Sequence, residues 1–491
     1  MVPFFLLYAL GYGEMAVPKV NLILSLICRD YLMEMGAQDP NLPMLFQGHN
    51  GECRIAGVHS RVAQFQLYLN LLTGLFSALV SPKLGHLSDQ YGRTKLIALA
   101  AFGTVLAEIV TVLVSAKPDS MSPNVLFLGA MLDGLGGSFM AAMALCHSYA
   151  ADCSRPETRN VAFGYFNGAL FVGIAAGPFL AAYIVEQTGS IFVIFVMALA
   201  FHASFFLACL FIIPESLPKE KQLAARERHQ RKLAESTESS FHWVNPINFL
   251  RPALILLPKV GKPSVLFPNR RGASPALRRN LVSLALIDTI LFGVSLGAGQ
   301  MFIIYAEYMF DWGTAESSIF ASIVNTVRVF TLFLLFPLAT HFFSRPSNDD
   351  KFVPGSSMFD VVMIRISLAV DIVGHFGYVL AQNGFVMTIS GAVSALGGIA
   401  SPSVQSSLTK HVPHDRVGQM LGAVSLLHSL SRVVAPTIFT IIYSYTVGRF
   451  TQAVFVCFLV SYVFVFVLSL FVEPHGKFCA GFTTYPHAQG S

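Results

Sequence analysis

Twelve stretches of about 20 apolar residues, the length a helix needs to cross a bilayer core, recur along the chain between short polar breaks. Six run approximately from Val2 to Leu26, Val62 to Ser81, Leu96 to Ala116, Val125 to Tyr149, Val161 to Ile184 and Ile191 to Ile213. After a polar middle come Leu281 to Tyr305, Ser318 to Thr340, Val361 to Leu380, Phe385 to Ser407, Met420 to Tyr443 and Ala453 to Val472. The pattern predicts an all-α membrane protein with twelve transmembrane helices in two groups of six. The first stretch has no basic segment ahead of it and exceeds the apolar core of a signal peptide, so it reads as a spanning helix.

Composition agrees: of 491 residues, 54% are hydrophobic and 12% charged, and the mean hydropathy is +0.61. Soluble domains carry about 25% charged residues. The formal charge of +5 is a matter of topology, because the cations form no basic patch interleaved with aromatics, and nucleic-acid binding is set aside. With the amino terminus in the cytosol, the cytosolic loops hold Lys83, Arg93, Lys95, Arg155, Arg159, Arg345, Lys351, Lys410 and Arg416. The opposite side keeps chiefly Arg29, Arg54, Arg61, Lys117 and Arg449. Cations gather in cytosolic loops, so both termini are expected there, in a plasma, vacuolar or endosomal membrane.

The expected organisation is an amino-terminal bundle over 1–213, a cytosolic middle loop over 214–279, a carboxy-terminal bundle over 280–473 and a cytosolic tail over 474–491. The middle opens with PESLPKEKQLAARERHQRKLAESTESS, whose mixed charge suits a solvated helix or a linker. The following FHWVNPINFLRPALILLP suits a plain linker or a segment lying on the membrane surface. Of the seven cysteines, Cys28 and Cys53 share the first long loop and could be bridged there if it faces an oxidising compartment.

A faint repeat relates the two groups. PETRNVAFG precedes the fifth run and PHDRVGQMLG the eleventh, pairing Pro156 with Pro413, Arg159 with Arg416 and Gly164 with Gly422. Pro178 and Pro436 each follow by fourteen residues, and GLGG (Gly134 to Gly137) is echoed by LGG (Leu396 to Gly398). Duplicated halves are common in transporters.

Between the second and third runs lies GHLSDQYGRTK, which supplies Gly85, Leu87, Asp89, Gly92, Arg93 and Lys95 to the pattern G-x-L-x-D-x-x-G-R-x-K. With twelve runs in two sixes, the chain resembles the major facilitator superfamily over its whole length. The GxxxGP element of helix five stands as Gly173, Gly177 and Pro178, although the glycines expected after it are Ala181 and Ala182. YAAD before PETR, and NPINFLRP, resemble a fungal branch near the proton-coupled folate transporters. Where some antiporters carry an arginine ahead of the helix-four glycines, this chain has Asp133. The resemblance implies two pseudo-symmetric bundles with helices 1, 4, 7 and 10 around a central cavity, flanked by 2, 5, 8 and 11. It also implies that the Gly85 to Lys95 loop latches the outward-facing state, Asp89 facing the start of helix eleven near Arg416 to Gly418, with Arg159 adding a cation there.

Ionisable side chains inside a bilayer cost several kcal/mol and are functional candidates by default. Glu14, Asp133 and Asp288 are carboxylates able to exchange protons on cavity-type helices, while Arg328 and Arg432 are fixed cations able to hold an anion or neutralise a carboxylate. Interhelical ion pairing is the rival reading. His428 shares a helical face with Arg432 and suits packing or proton relay. Glu108, Asp371 and His375 fall on outer helices, where a structural role is expected, with Asp371 and His375 spaced for a local pair. Asn70, Asn167, Gln300 and Asn325 sit mid-span, where they suit solute binding or helix–helix bonding.

Enzymatic motifs fail on context. GVSLG (Gly293 to Gly297) lies in an apolar helical run rather than a strand-turn-helix elbow, HVPH (His411 to His414) has no supporting ligands for a metal, and no P-loop appears. No cofactor or metal is expected. The expected function is secondary transport of a small solute by alternating access, coupled to protons and carried out by a monomer. An organic anion is permitted by the arginines. A multidrug-type exporter and a non-transporting receptor or scaffold are the alternatives.

Overall fold

The computed structural model describes residues 1–34, 56–235, 256–258, 260–262, 273–310, 312, 314–343, 355–413 and 416–474. Among them the chain forms twelve helical rods. They are α1 (Val2–Glu14 and Ala16–Glu34), α2 (Ala56–Tyr91), α3 (Arg93–Ala116), α4 (Val125–Leu135 and Ser138–Cys153), α5 (Arg159–Thr188) and α6 (Ile191–Phe211). After a linker helix, Lys219–Glu235, come α7 (Pro275–Phe310), α8 (Thr314–Phe330 through Phe336–Phe343), α9 (Met358–Leu380), α10 (Gly384–Leu396 through Ala400–Lys410), α11 (Val417–Thr446) and α12 (Ala453–Leu470). Ten of them are long and apolar enough to cross a membrane. The other two are α1 and α9.

Helix–helix packing exposes the repeat that the sequence only hints at. In the first half α1 packs on α5 and α6, and α3 on α4 and α6; in the second α7 packs on α11 and α12, and α9 on α10 and α12. The halves meet through α2 against α11 and α5 against α8, with α4 touching α11 and α10 touching α5. Each contact has its counterpart, as a pseudo-twofold axis between duplicated halves requires.

Several rods are interrupted for local reasons. Pro18 cannot donate to the carbonyl of Glu14 and its ring crowds that position, so α1 breaks at Met15. In α4 the break falls at Gly137, with φ +89°, followed by Ser138 at φ +57°; a side chain at the first position would be strained. Close approach fixes other glycines. Gly173 and Gly177 of α5 lie against the backbone of Ala9 and Gly13 in α1, so a Cβ on either would overlap main chain. Gly293 and Gly297 pack instead on side chains of α11, those of Ala435 and Phe439.

Two sequence boundaries move. The segment Gly85–Tyr91 is the last part of α2 rather than a loop, and only Gly92, at φ +101°, separates α2 from α3. The charged start of the middle segment is a helix, Lys219–Glu235. The stretch after it, 236–255, and the tail from His475 lie outside the described residues.

Candidate functional site: a cavity above a buried latch

The α2–α3 junction is a closed electrostatic cluster. The Asp89 carboxylate, 2% exposed, accepts from Arg93 Nη1 (2.6 Å) and from the backbone N–H groups of Gly418 (3.1 Å) and Gln419 (3.0 Å) in the first turn of α11. Free N–H groups and the helix dipole both favour an anion at that end. Arg93 is fully buried and turns its Nε to Asp152 at the end of α4 (2.8 Å). Gly85 allows the approach, because a Cβ there would overlap the carbonyl oxygen of Gly418. From the other direction Glu215 caps α3, accepting from the N–H groups of Arg93 (2.8 Å) and Thr94 (3.1 Å). Lys95 is exposed.

Asp152, the last residue of YAAD, and Glu215 carry no sign in the sequence of their partner, since nothing local marks a charge whose partner lies tens of residues away. Arg159 stands beside this cluster, donating to Thr409 Oγ1 (3.2 Å) and to the carbonyl of Ala151 (3.1 Å), next to Asp152, and so ties the end of α10 to the end of α4. Arg416 is the residue before α11, its N–H bonded to the Pro413 carbonyl (3.0 Å). The second half mirrors the Arg93–Asp152 pair with its charges exchanged: Asp360 at the start of α9 binds Lys410 Nζ at the end of α10 at 2.6 Å.

Above the latch is a cavity of about 320 Å³. Its walls come from the halves of α2, α3 and α4 remote from Asp89, including Asn70, Thr104, Glu108 and Asp133, together with Tyr8, Tyr12 and Lys19 of α1 and Arg432 of α11. Thr104 links two of these, donating to Asp133 Oδ1 (3.0 Å) and sharing a hydrogen bond with the Tyr8 hydroxyl (3.1 Å). The floor joins the two halves. Ser77 Oγ bonds Ser429 Oγ (3.1 Å) and the Gly137 carbonyl (2.6 Å), and Arg432 Nη1 donates to Ser138 Oγ at 3.4 Å.

Glu108 corrects an expectation: although α3 is an outer helix, this side chain lines the cavity. Thr104, Ala107, Glu108 and Thr111 repeat at i, i+3, i+4 and i+7 and all line it, a helical stripe that a closer reading of the sequence would have found. His202 of α6 places Nδ1 4.0 Å from Glu108 Oε1 and Nε2 3.2 Å from the Tyr8 carbonyl. Glu14 is fully buried, and neither carboxylate oxygen has a hydrogen-bond partner among the described residues.

In the second half, Asp288 of α7 accepts from His428 Nε2 (2.8 Å) and Gln405 Nε2 (3.2 Å). The His428 ring also stacks on Phe292, with centroids 4.1 Å apart. Arg328 lies over the Phe171 ring of α5, 4.6 Å from its centroid, another contact between the halves. Asp371 and His375 do not form the side-chain pair their spacing permits. Ser394 donates to Asp371 Oδ1 (3.1 Å), while His375 Nδ1 bonds the Asp371 backbone carbonyl (2.9 Å). Each half therefore joins its third and fourth rods through a carboxylate and a hydroxyl, Asp133 with Thr104 and Asp371 with Ser394.

Asn167 is satisfied within α5, its amide donating to the Phe163 carbonyl (3.1 Å), and Asn325 is half-buried. The Gln300 side chain and Cys53 lie outside the described residues; Cys28 is disulfide-bonded.

The model of the Major Facilitator Superfamily matches residues 31–358. The chain belongs to that superfamily and is an integral, multi-pass membrane transporter rather than an enzyme. Among its relatives is the MFS-type transporter avaJ of Aspergillus versicolor, 26% identical, the match covering 93% of this chain and 84% of that protein. The class H tetracycline resistance protein of Pasteurella multocida is 21% identical over 82% of this chain and 84% of its own. Among solved structures, the human organic anion transporter MFSD10 (TETRAN) matches at a TM-score of 0.63 with 18% identity, covering 94% of this chain and 99% of that one. The proton:xylose symporter XylE matches at 0.61 with 14% identity, over 96% and 95% of the two chains. These structural likenesses show the fold.

Proposed function

We propose that the chain moves a small organic solute across the membrane by alternating access, driven by protons, with the conformation described here open away from the Asp89 latch. The observation that carries this reading is the cavity's position. It occupies the half of the bundle remote from Asp89, and below it the Ser77–Ser429 and Arg432–Ser138 contacts and the latch join the two halves. A transporter of this build releases its cargo on the far side only when those contacts part. The cation distribution supports a latch face and both termini in the cytosol, with the cavity facing outward. The Cys28 disulfide then sits on the outer side, with Cys53 as its proposed partner, and the monomer is the working unit.

Two buried groups suit proton exchange. Nε2 of His202 donates to the Tyr8 carbonyl, so in the neutral ring Nδ1 is the acceptor facing Glu108; a proton on that carboxyl closes the gap. Asp288 with His428 offers the same chemistry in the second half. Export of a drug-like solute is the reading favoured by relatives named as tetracycline resistance proteins and by Gly173, Gly177 and Pro178. Tetracycline flux into proteoliposomes containing the full chain, with and without an imposed pH gradient, tests it. Gradient-driven accumulation supports coupled transport of that solute; flux indifferent to the gradient removes the proton.

A further inference from the structure

The cavity charges are not all matched internally. Lys19, Glu108, Asp133 and Arg432 all line the cavity, and among the described residues no two of them form an ion pair within 4.0 Å; Asp133 and Arg432 are the anion and cation that stand on opposite halves of the molecule. Asp133 receives one hydroxyl, Thr104, and Arg432 reaches one hydroxyl, Ser138. Neither has an ion partner within 4.0 Å among the described residues, yet both are part of the cavity wall. The same wall carries an aromatic pair, Tyr12 stacking on Phe139 with centroids 5.1 Å apart. Half-exposed charges of opposite sign, each held by a single neutral bond in a cavity with an aromatic face, are complementary to a ligand carrying the two inverse charges and a flat ring.

We infer that the solute this cavity binds is a zwitterion with an aromatic body, its cationic group meeting Asp133 and its anionic group meeting Arg432. This deepens the transport reading, since it concerns the same cavity. It also gives binding a mechanical consequence. Asp133 belongs to α4 and Arg432 to α11, so a solute holding both charges bridges the two halves, whereas a solute with one charge engages only one. A ligand shifts a conformational balance only through such differential contact.

The test is a thermal-unfolding screen of the purified full chain against four sets of aromatic probes matched in size: zwitterions such as tryptophan, monocations such as tryptamine, monoanions such as indole-3-propionate, and neutral indoles. Binding raises the unfolding temperature. The expected result is that stabilising probes concentrate among the zwitterions, that Asp133→Asn and Arg432→Gln each weaken them about tenfold or more, and that Asp133→Asn spares any residual monoanion binding while Arg432→Gln spares residual monocation binding. Each unliganded variant's own melting curve shows whether it folds, and two independent variants keep one failure from deciding the matter. Stabilisation by single-charge or neutral probes instead, no stabilisation by any zwitterion, or variants that leave the ranking unchanged overturns the inference. Zwitterion binding without flux would remove the transport reading alone; proton-driven flux of a singly charged solute would leave transport standing and remove this inference.

Discussion

The carboxylate of Asp89 lies 2.6 Å from Nη1 of Arg93, one turn along the chain, and both side chains are buried. A pair that made only this contact would stay within one half of the molecule. Asp89 also takes two N–H groups of α11, so the same carboxylate couples the α2–α3 junction to the opposite half.

Replacing Asp89 by Asn keeps the shape but removes the charge that those donors address. A hydrogen bond to a charged group is worth about 1.5–3 kcal/mol, so the balance between the latched and unlatched forms should move by roughly 10- to 100-fold. Spin-label distances between the start of α11 and the end of α2 should broaden toward a longer population. An unaltered distribution would show that the latch is not what holds this face closed.

Gly85→Val tests the same junction sterically. A Cβ there overlaps the carbonyl oxygen of Gly418, and a helix backbone cannot yield as a side-chain tip does. Overpacking of this kind costs about 1–3 kcal/mol, and here the cost falls on the latched form alone. The melting temperature should drop little while the latched population is lost. A variant with wild-type distances would contradict the close packing of α2 on α11.

Asp360 and Lys410 form a buried ion pair at 2.6 Å, and removing one partner from such a pair typically costs about 3–5 kcal/mol. Lys410→Met should therefore lower thermal stability markedly. Adding Asp360→Asn should recover part of the loss, because the amide is neutral and its side-chain oxygen can still accept at the start of α9. A double variant no more stable than the single one would argue against an uncompensated carboxylate as the cause.

Asp288→Asn separates coupling from movement. The amide oxygen can still accept from His428, which preserves packing, but the group no longer exchanges a proton. Gradient-driven accumulation should fall to the level of passive exchange while counterflow of the same labelled solute continues. Loss of both would mark Asp288 as structural.

The twelve helical rods and the latch pattern were legible because they are local: apolar length, the Gly–Asp–Gly–Arg spacing and the repeated glycines are written in consecutive residues. The polar residues of Gly85–Tyr91 suggest a loop, although the positive-φ turn needs only Gly92. The place of Glu108 follows from the face it presents, which lines the cavity, and not from the outer position of its helix. Asp152, Glu215 and the Asp288–His428 contact are properties of the packed chain; partners 59 to 140 residues apart leave no trace in local spacing.

Thiol accessibility tests directly that the cavity opens away from the latch. A cysteine at Tyr12, 40% exposed on the cavity wall, in a chain with exposed Cys153 and the tail's Cys479 replaced by serine, is probed with a membrane-impermeant thiol reagent applied to one face at a time. Rapid labelling is expected from the face opposite Asp89, little from the Asp89 face, and gain of labelling from the Asp89 face in Asp89→Asn. Rapid labelling from the Asp89 face with the latch intact would contradict it.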